Sequence, residues 1–240
     1  MVEQRDGYLY EQIKHDIISK IESGIFLAGD RLPSENELSA QYSVGRNTAK
    51  HALDALVSEG YARRIQGKGT FVENGKIEQP LRGVYSLSEL FKANERESYS
   101  KIICFEPVQA PPKVRAALRL EQDEPALRIC RLRYADKVPV IINDTYISYN
   151  RFSSLLKYDL EIISFYDYLF KKEHIFAARV DETLEIVPLY PDEAQLLGQK
   201  AGTPAFLLRA VSYDNGGRPF EMVKSIYRGD KFQFSISLQK

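Results

Sequence analysis

The sequence predicts an α+β chain of two units: a winged helix-turn-helix over residues 1–72, a linker over 73–80, and an α+β unit on an antiparallel sheet over 81–240. Three observations predict it. Up to residue 59, apolar residues recur at helical spacing in three runs, the last two separated by a short glycine-containing turn. Residues 62–72 read as a hairpin turned on glycines. Beyond residue 80, strand-like alternation over 101–108, 127–134, 138–147, 178–187, 205–213, 219–227 and 232–238 mixes with helical runs near 86–93, 112–120, 164–172 and 191–198.

Each element has a local cause. After Tyr10, residues Ile13, Ile17 and Ile21 follow the helical period, and Gly24 stops the run. Ser34, followed three residues later by Glu37, is a capping box opening the second helix, whose buried stripe continues through Leu38 and Tyr42. Ser43-Val44-Gly45 turns the chain into a third helix, about 46–59. A step of roughly 100° per residue puts Ala49, Ala52, Leu53, Leu56 and Val57 on one side of it and Arg46, Asn47, Lys50, His51 and Asp54 on the other. Arg63, Arg64, Gln66, Gly67 and Lys68 lie on or beside the hairpin turn. Residues 73–80 are polar, contain Gly75 and end on Pro80, as a linker does.

Composition bounds what the chain can do. Hydrophobic residues at 44% and charged residues at 28% suit a folded globular protein. No stretch approaches a membrane span, and the polar start, Met1 to Asp6, lacks the pattern of a signal peptide, so the cytoplasm is the expected compartment and no membrane partner is expected. Cys104 and Cys130 sit in apolar strand-like runs and read as buried reduced thiols. His15, His51 and His174 are scattered, so neither a metal site nor a cofactor is expected. The net charge is 0, so any nucleic-acid reading depends on local placement. Between Val44 and Thr70 five basic residues (Arg46, Lys50, Arg63, Arg64, Lys68) face two acidic ones (Asp54, Glu59). A polar helix face is by itself an ordinary solvated surface. An arginine, an asparagine and a lysine near the start of the third helix, followed by a basic hairpin, point instead to a helix entering the major groove of DNA.

Leu32-Pro33-Ser34-Glu35, Glu37-Leu38, Val44, Arg46, Thr48, Ala52-Leu53, Leu56, Glu59-Gly60 and Gln66-Gly67-Lys68-Gly69-Thr70-Phe71-Val72 together resemble the DNA-binding domain of GntR-family regulators, over nearly all of residues 8–72. The resemblance implies that Arg46, Asn47, Thr48 and Lys50 contact operator DNA. It likewise places Gln66 and Gly67 at the tip of a wing in the minor groove. Asn36 stands where many members have arginine, and Lys50 replaces a frequent arginine without offering its bidentate fork. A single winged helix covers one half-site, so a homodimer on a palindromic operator is expected, held together through the C-terminal unit.

The C-terminal unit carries a weak internal repeat. An offset of 79 residues matches Leu90-Phe91-Lys92 with Leu169-Phe170-Lys171, Pro112 with Pro191, Pro125-Ala126 with Pro204-Ala205 and Tyr134 with Tyr213, which predicts two similar halves sharing one sheet. Ser86 before Leu87, the pair Arg131 and Arg133, Ser164-Phe165-Tyr166-Asp167, Phe220-Glu221 and Lys224 to Asp230 resemble the UTRA effector-binding domain of the HutC subfamily of GntR regulators, over about 81–235. That resemblance implies a fold related to chorismate lyase and a small-metabolite effector. In the run Leu127 to Tyr134, alternation puts Leu127, Ile129, Arg131 and Arg133 on one face. From the residues alone these arginines either pair with acids or reach solvent. With the resemblance they become a fork for a phosphate, assisted by Ser86, Ser88, Ser164 and Tyr166 near two helix starts. Glu221 would accept hydrogen bonds from sugar hydroxyls, and Tyr227 is counted with these residues. Asn143 stands where a sugar-binding relative has glutamate.

The function expected is a sequence-specific DNA-binding transcriptional regulator, a repressor released by a small metabolite, the best match being a phosphorylated sugar. A non-phosphorylated metabolite or a lyase-type enzyme is the alternative for the C-terminal unit. No nucleophile–base pair or metal cluster is visible, so no enzymatic activity is expected.

Overall fold

The computed structural model describes residues 2–73, 75–81 and 86–238. It divides into two compact units, Met1–Lys76 and Ile77–Lys240. The boundary falls inside the expected linker.

The first unit is α1 (Val2–Glu22), α2 (Glu35–Tyr42), α3 (Arg46–Ser58), β1 (Ala62–Ile65) and β2 (Gly69–Val72). The sequence signals map onto it directly. Ser34 caps α2: its hydroxyl accepts from Glu37 N–H, and its own N–H donates to Glu37 Oε2 at 2.7 Å. Ser43 then takes the left-handed conformation, φ 52°, and turns the chain toward α3. Ile13 and Ile17 of α1, Leu38 of α2 and Ala49, Ala52, Leu53 and Leu56 of α3 bury one another. β1 and β2 pair antiparallel, with Gly67 and Gly69 at positive φ in the turn. The loop before α2 is sewn to this hairpin, Leu32 N–H donating to Thr70 O at 2.8 Å.

The second unit begins with β3 (Ile77–Pro80), so the last four residues of the expected linker are strand. There follow α4 (Leu87–Ala93), β4 (Ser98–Gln109), α5 (Pro112–Leu118), β5 (Pro125–Ala135), β6 (Val138–Ser148), α6 (Tyr149–Phe152), a 3-10 turn (Ser153–Lys157) and α7 (Phe165–Glu173). The chain closes with β7 (Arg179–Pro188), α8 (Pro191–Leu197), β8 (Pro204–Tyr213), β9 (Pro219–Arg228) and β10 (Phe232–Ser235). Six strands form one antiparallel sheet in the order β4-β5-β6-β9-β8-β7. The order reads the same from either edge, three strands from each half meeting at β6 and β9, as the internal repeat requires. The 79-residue offset carries α5 onto α8 residue for residue. β10, expected with the antiparallel strands, instead pairs parallel with β3 in a separate two-stranded sheet. Alternation announces a strand but not its partner.

Helices cover both faces. On one, α5 packs over Ala126, Tyr146 and Met222, and α8 over Leu132, Leu207 and Ile226. On the other, α6 and α7 enclose a core with Leu127, Ile129, Ile147 and Phe220, while α4, β3 and β10 enclose a second with Ile141, Leu208, Ala210 and Tyr227. Cys104 and Cys130, opposite each other on β4 and β5, are both free; Cys130 is buried, but Cys104 only partly. Among the described residues no helix is long and apolar enough to cross a membrane.

The run Lys224 to Asp230, part of the UTRA resemblance, includes structural residues. Arg228 pairs with Asp230 at 2.6 Å and donates to Pro139 O and Leu197 O, fastening β9 to two neighbouring segments. A Cβ on Gly229 would come within 2.9 Å of Pro204 O, a backbone atom that cannot swing aside. Gly229→Ala is therefore expected to destabilise the C-terminal unit by roughly 1–2 kcal/mol, read as a lowered urea midpoint with an unchanged slope.

Candidate functional site

Two surfaces gather the residues singled out in the sequence. On the first unit, Arg46, Asn47 and Lys50 of α3 and Arg63, Arg64, Gln66, Gly67 and Lys68 of the hairpin are all exposed. Thr48 departs from the expectation. It is only 6% exposed, because it lies one helical turn before the buried Ala52 and on the same side. A concave surface between the hairpin and the starts of α2 and α3 is lined by Arg31, Glu35, Asn36, Arg46, Arg64, Gln66 and Gly67 among others. Glu35 Oε2 accepts from Arg46 Nε at 3.0 Å, and Arg64 reaches Asp54 at 2.7 Å. These acids hold the two guanidinium groups in position on an exposed surface, where each ion pair contributes little to stability. Arg31 and Glu35 were not anticipated as part of this surface.

On the second unit, a cavity with room for water-sized spheres over about 90 Å³ lies on the sheet face between the two cores. All nine residues singled out for an effector line it: Ser86, Ser88, Arg131, Arg133, Asn143, Ser164, Tyr166, Glu221 and Tyr227. Strand register explains the convergence. Arg131 stands opposite Asn143, Asn143 opposite Ser225, and Glu221 opposite Ser212, so these side chains share one face. Leu87 and Leu90 of α4 and Phe165 of α7 add apolar walls.

The electrostatics of the cavity are unbalanced. Arg131 is 5% and Arg133 6% exposed. Arg131 Nη2 donates to Asn143 Oδ1 at 3.3 Å, while Arg133 donates to Ser100 Oγ at 2.8 Å and to Ser88 Oγ at 3.2 Å. Both Nε atoms are buried without a partner, and neither guanidinium forms an ion pair with a described residue. The reading in which these arginines pair with acids or reach solvent is thereby overturned. Burial first, and the Arg131 charge second, push the Arg133 guanidinium down to about 9; burial lowers Arg131 too, against the pull of Glu221. Arg128, on the opposite face of the same strand, shows the contrast: it grips Asp144 through two hydrogen bonds of 2.8 and 3.0 Å.

The carboxylate of the cavity is partly engaged. Glu221 Oε2 accepts from Tyr166 OH at 2.6 Å and from Ser212 Oγ at 3.0 Å, and burial still raises its carboxyl. Burial raises the Tyr166 hydroxyl well above the usual phenol range, so it remains a donor. Asn143 donates to Ser225 Oγ at 2.8 Å, and its Oδ1 accepts from Thr145 Oγ1 at 3.1 Å as well as from Arg131. Ser86 and Ser164 each cap their own helix by accepting from a backbone N–H, which leaves their hydroxyl protons to be donated.

Comparison with known proteins assigns both units to a family. Residues 9–72 match bacterial regulatory proteins of the gntR family, and residues 93–233 match the UTRA domain. The chain belongs to the GntR family, in its UTRA-bearing branch. It is 31% identical over 226 residues to the HTH-type transcriptional repressor NagR of Bacillus subtilis, covering 94% of this chain and 93% of that one. It is 32% identical over 207 residues to the repressor PhnF of Mycolicibacterium smegmatis, with 86% and 84% covered. The crystal structure of PhnF from Mycobacterium smegmatis superposes with a TM-score of 0.68 at 29% identity, over 94% of this chain and 98% of that one. The relatives are transcriptional regulators, not enzymes.

For this GntR regulator, sequence reasoning missed Gln79, Glu182, Ser212 and Ser225 in the cavity. A signal for one was available. The repeat offset of 79 carries Arg131 and Arg133 onto Ala210 and Ser212, which line the same cavity from the other half. Among the described residues, no group of three or more His, Cys, Asp or Glu side chains could hold a metal ion.

Proposed function

We infer that this chain is a repressor that binds a palindromic operator as a homodimer, through α3 and its wing, and leaves it when a phosphorylated sugar enters the C-terminal cavity. One observation carries the effector class: two buried guanidinium groups on adjacent same-face positions of β5, neither paired with a carboxylate among the described residues. Burying a charge without a counter-charge is costly, and arginine does not escape the cost by losing its proton at neutral pH. A dianionic phosphate supplies both the charge and acceptors for the orphaned Nε atoms, in the planar geometry that guanidinium groups favour. The hydroxyl protons of Ser86 and Ser164 suit the same anion, while Tyr166 spends its proton on Glu221, whose remaining oxygen suits a sugar hydroxyl. Relatives whose names refer to fructoselysine utilization in Escherichia coli (29% identical) and to mannosyl-D-glycerate transport and metabolism (26%) support a sugar-related ligand. Release from DNA follows if the ligand binds the non-DNA conformation more tightly, with couplings of typically ~1–3 kcal/mol.

Isothermal calorimetry of the full chain against hexose and disaccharide phosphates, each beside its unphosphorylated sugar, tests the reading. A phosphorylated member should bind and its parent sugar should not. Equal affinity for both forms would remove the phosphate.

A further inference from the structure

Two thiols meet on the sheet face that points away from the cavity. Cys104 of β4 and Cys130 of β5 stand directly opposite each other in the antiparallel register, and both are free. Opposed Cα atoms in such a pair lie roughly 4.5–5.5 Å apart, inside the span of roughly 4.4–6.8 Å that a disulfide bridges. The Cys130 thiol is within hydrogen-bonding reach of Cys104, and both side chains pack against the core under α8. The two differ in access. Burial first, and the charge of Asp144 second, push the Cys130 thiol up to about 12. Cys104 is only partly buried: β4 is an edge strand, and its register shifts between Ile102 and Cys104, leaving Ile103 45% exposed beside it.

We propose that Cys104 and Cys130 form a site of reversible oxidation by peroxide, closing into an intramolecular disulfide that ties the edge strand β4 to the strand carrying Arg131 and Arg133. The Cys104 sulfur attacks one peroxide oxygen, the O–O bond breaks, and the departing hydroxide takes up the thiol's proton as water. The sulfenic acid so formed faces Cys130. The Cys130 sulfur then attacks the Cys104 sulfur, the S–O bond breaks, and the hydroxide leaves as a second water with the Cys130 proton. The two thiols together give up two electrons, and one peroxide becomes two waters. Access sets the division of labour. The thiolate is the nucleophile, so a buried thiol held near 12 is a poor first target for peroxide, yet it has only to reach a sulfur already beside it. A disulfide on a partly exposed edge strand stays within reach of a reducing thiol, so the bond opens again.

Intact-mass spectrometry of the full chain, reduced and then treated with a small excess of hydrogen peroxide, tests this. Both thiols should be lost to alkylation together, the mass should fall by two hydrogen atoms, and dithiothreitol should restore both. A digest of the oxidised protein should contain the Cys104 and Cys130 peptides joined. Cys130→Ala should still react at Cys104 but stop at oxygen adducts that dimedone traps, and Cys104→Ala should leave Cys130 unmodified at the same dose. The wild-type masses decide the point even if a variant does not fold. A wild type that gains oxygen instead of losing hydrogen, that links only between chains, or that keeps both thiols at doses oxidising free cysteine overturns the proposal.

Discussion

Replacing both Arg131 and Arg133 by methionine is expected to abolish the response to effector while leaving the empty protein folded and at least as stable. Methionine keeps most of the arginine stem's volume, so the sheet face and the α4 and α7 packing over it are retained. It removes two buried cations that no described residue pairs with. Exchanging buried charge for apolar volume is often neutral or stabilising. The two arginines carry a folding penalty in their charged form, since the folded state lowers both guanidinium values. That penalty is fully present at neutral pH and for Arg133 eases only as the pH rises through about 9 and beyond, so its removal should show near pH 7. Phosphate affinity should fall by at least about 100-fold, because two charge-assisted hydrogen-bonding groups worth roughly 1.5–3 kcal/mol each are lost. In the wild type, affinity should rise as the pH passes about 6, where a phosphate monoester becomes dianionic, and the double variant should lose this dependence. Denaturant titration of the empty proteins and calorimetry at several pH values measure the two halves of the expectation. A variant that unfolds, or one that binds normally, contradicts it.

The second large effect concerns DNA. Arg46→Ala should weaken operator binding by ~1–3 kcal/mol, or about 5- to 150-fold, at fixed salt. Arg46 is exposed at the start of α3 and oriented by Glu35 at 3.0 Å, so the guanidinium is presented without having to be ordered on binding. Lys68, at the hairpin turn, should behave differently if it meets phosphate. Its alanine variant would lose affinity about equally for all sequences and lower the slope of log affinity against log salt by about one. Fluorescence anisotropy with operator and scrambled duplexes over a salt series separates the two. An Arg46→Ala protein with undiminished operator affinity removes α3 as the reading helix.

Much of the fold is legible in the sequence, and the reasons are particular. The Ser34–Glu37 capping box and the Ser43 to Gly45 turn are local, so they can be read without knowing the partner. The 79-residue repeat makes the symmetric sheet order legible, because equivalent halves pack as equivalents. Neither signal reaches β3, a strand of four residues too short to show alternation and paired with β10. Burial of Thr48 was hidden for a different reason: its role was inferred from family position, not from the helical phase that sets it beside Ala52. In the cavity, Arg131 and Arg133 are visible as alternate residues of one strand. Ser225 and Glu182 are not, since they join through register across β6–β9 and β7–β8, which no single strand encodes.

The central claim is that an anion at the two buried arginines weakens the hold on DNA. Its most direct test is an anisotropy titration of the wild-type protein bound to an operator selected from random duplexes, with a binding sugar phosphate added at fixed salt. The phosphate is expected to release the DNA, its unphosphorylated parent to leave the complex intact, and the double methionine variant to stay bound under both. Release of wild type and variant alike, or no release of the wild type by any phosphate it binds, would contradict it.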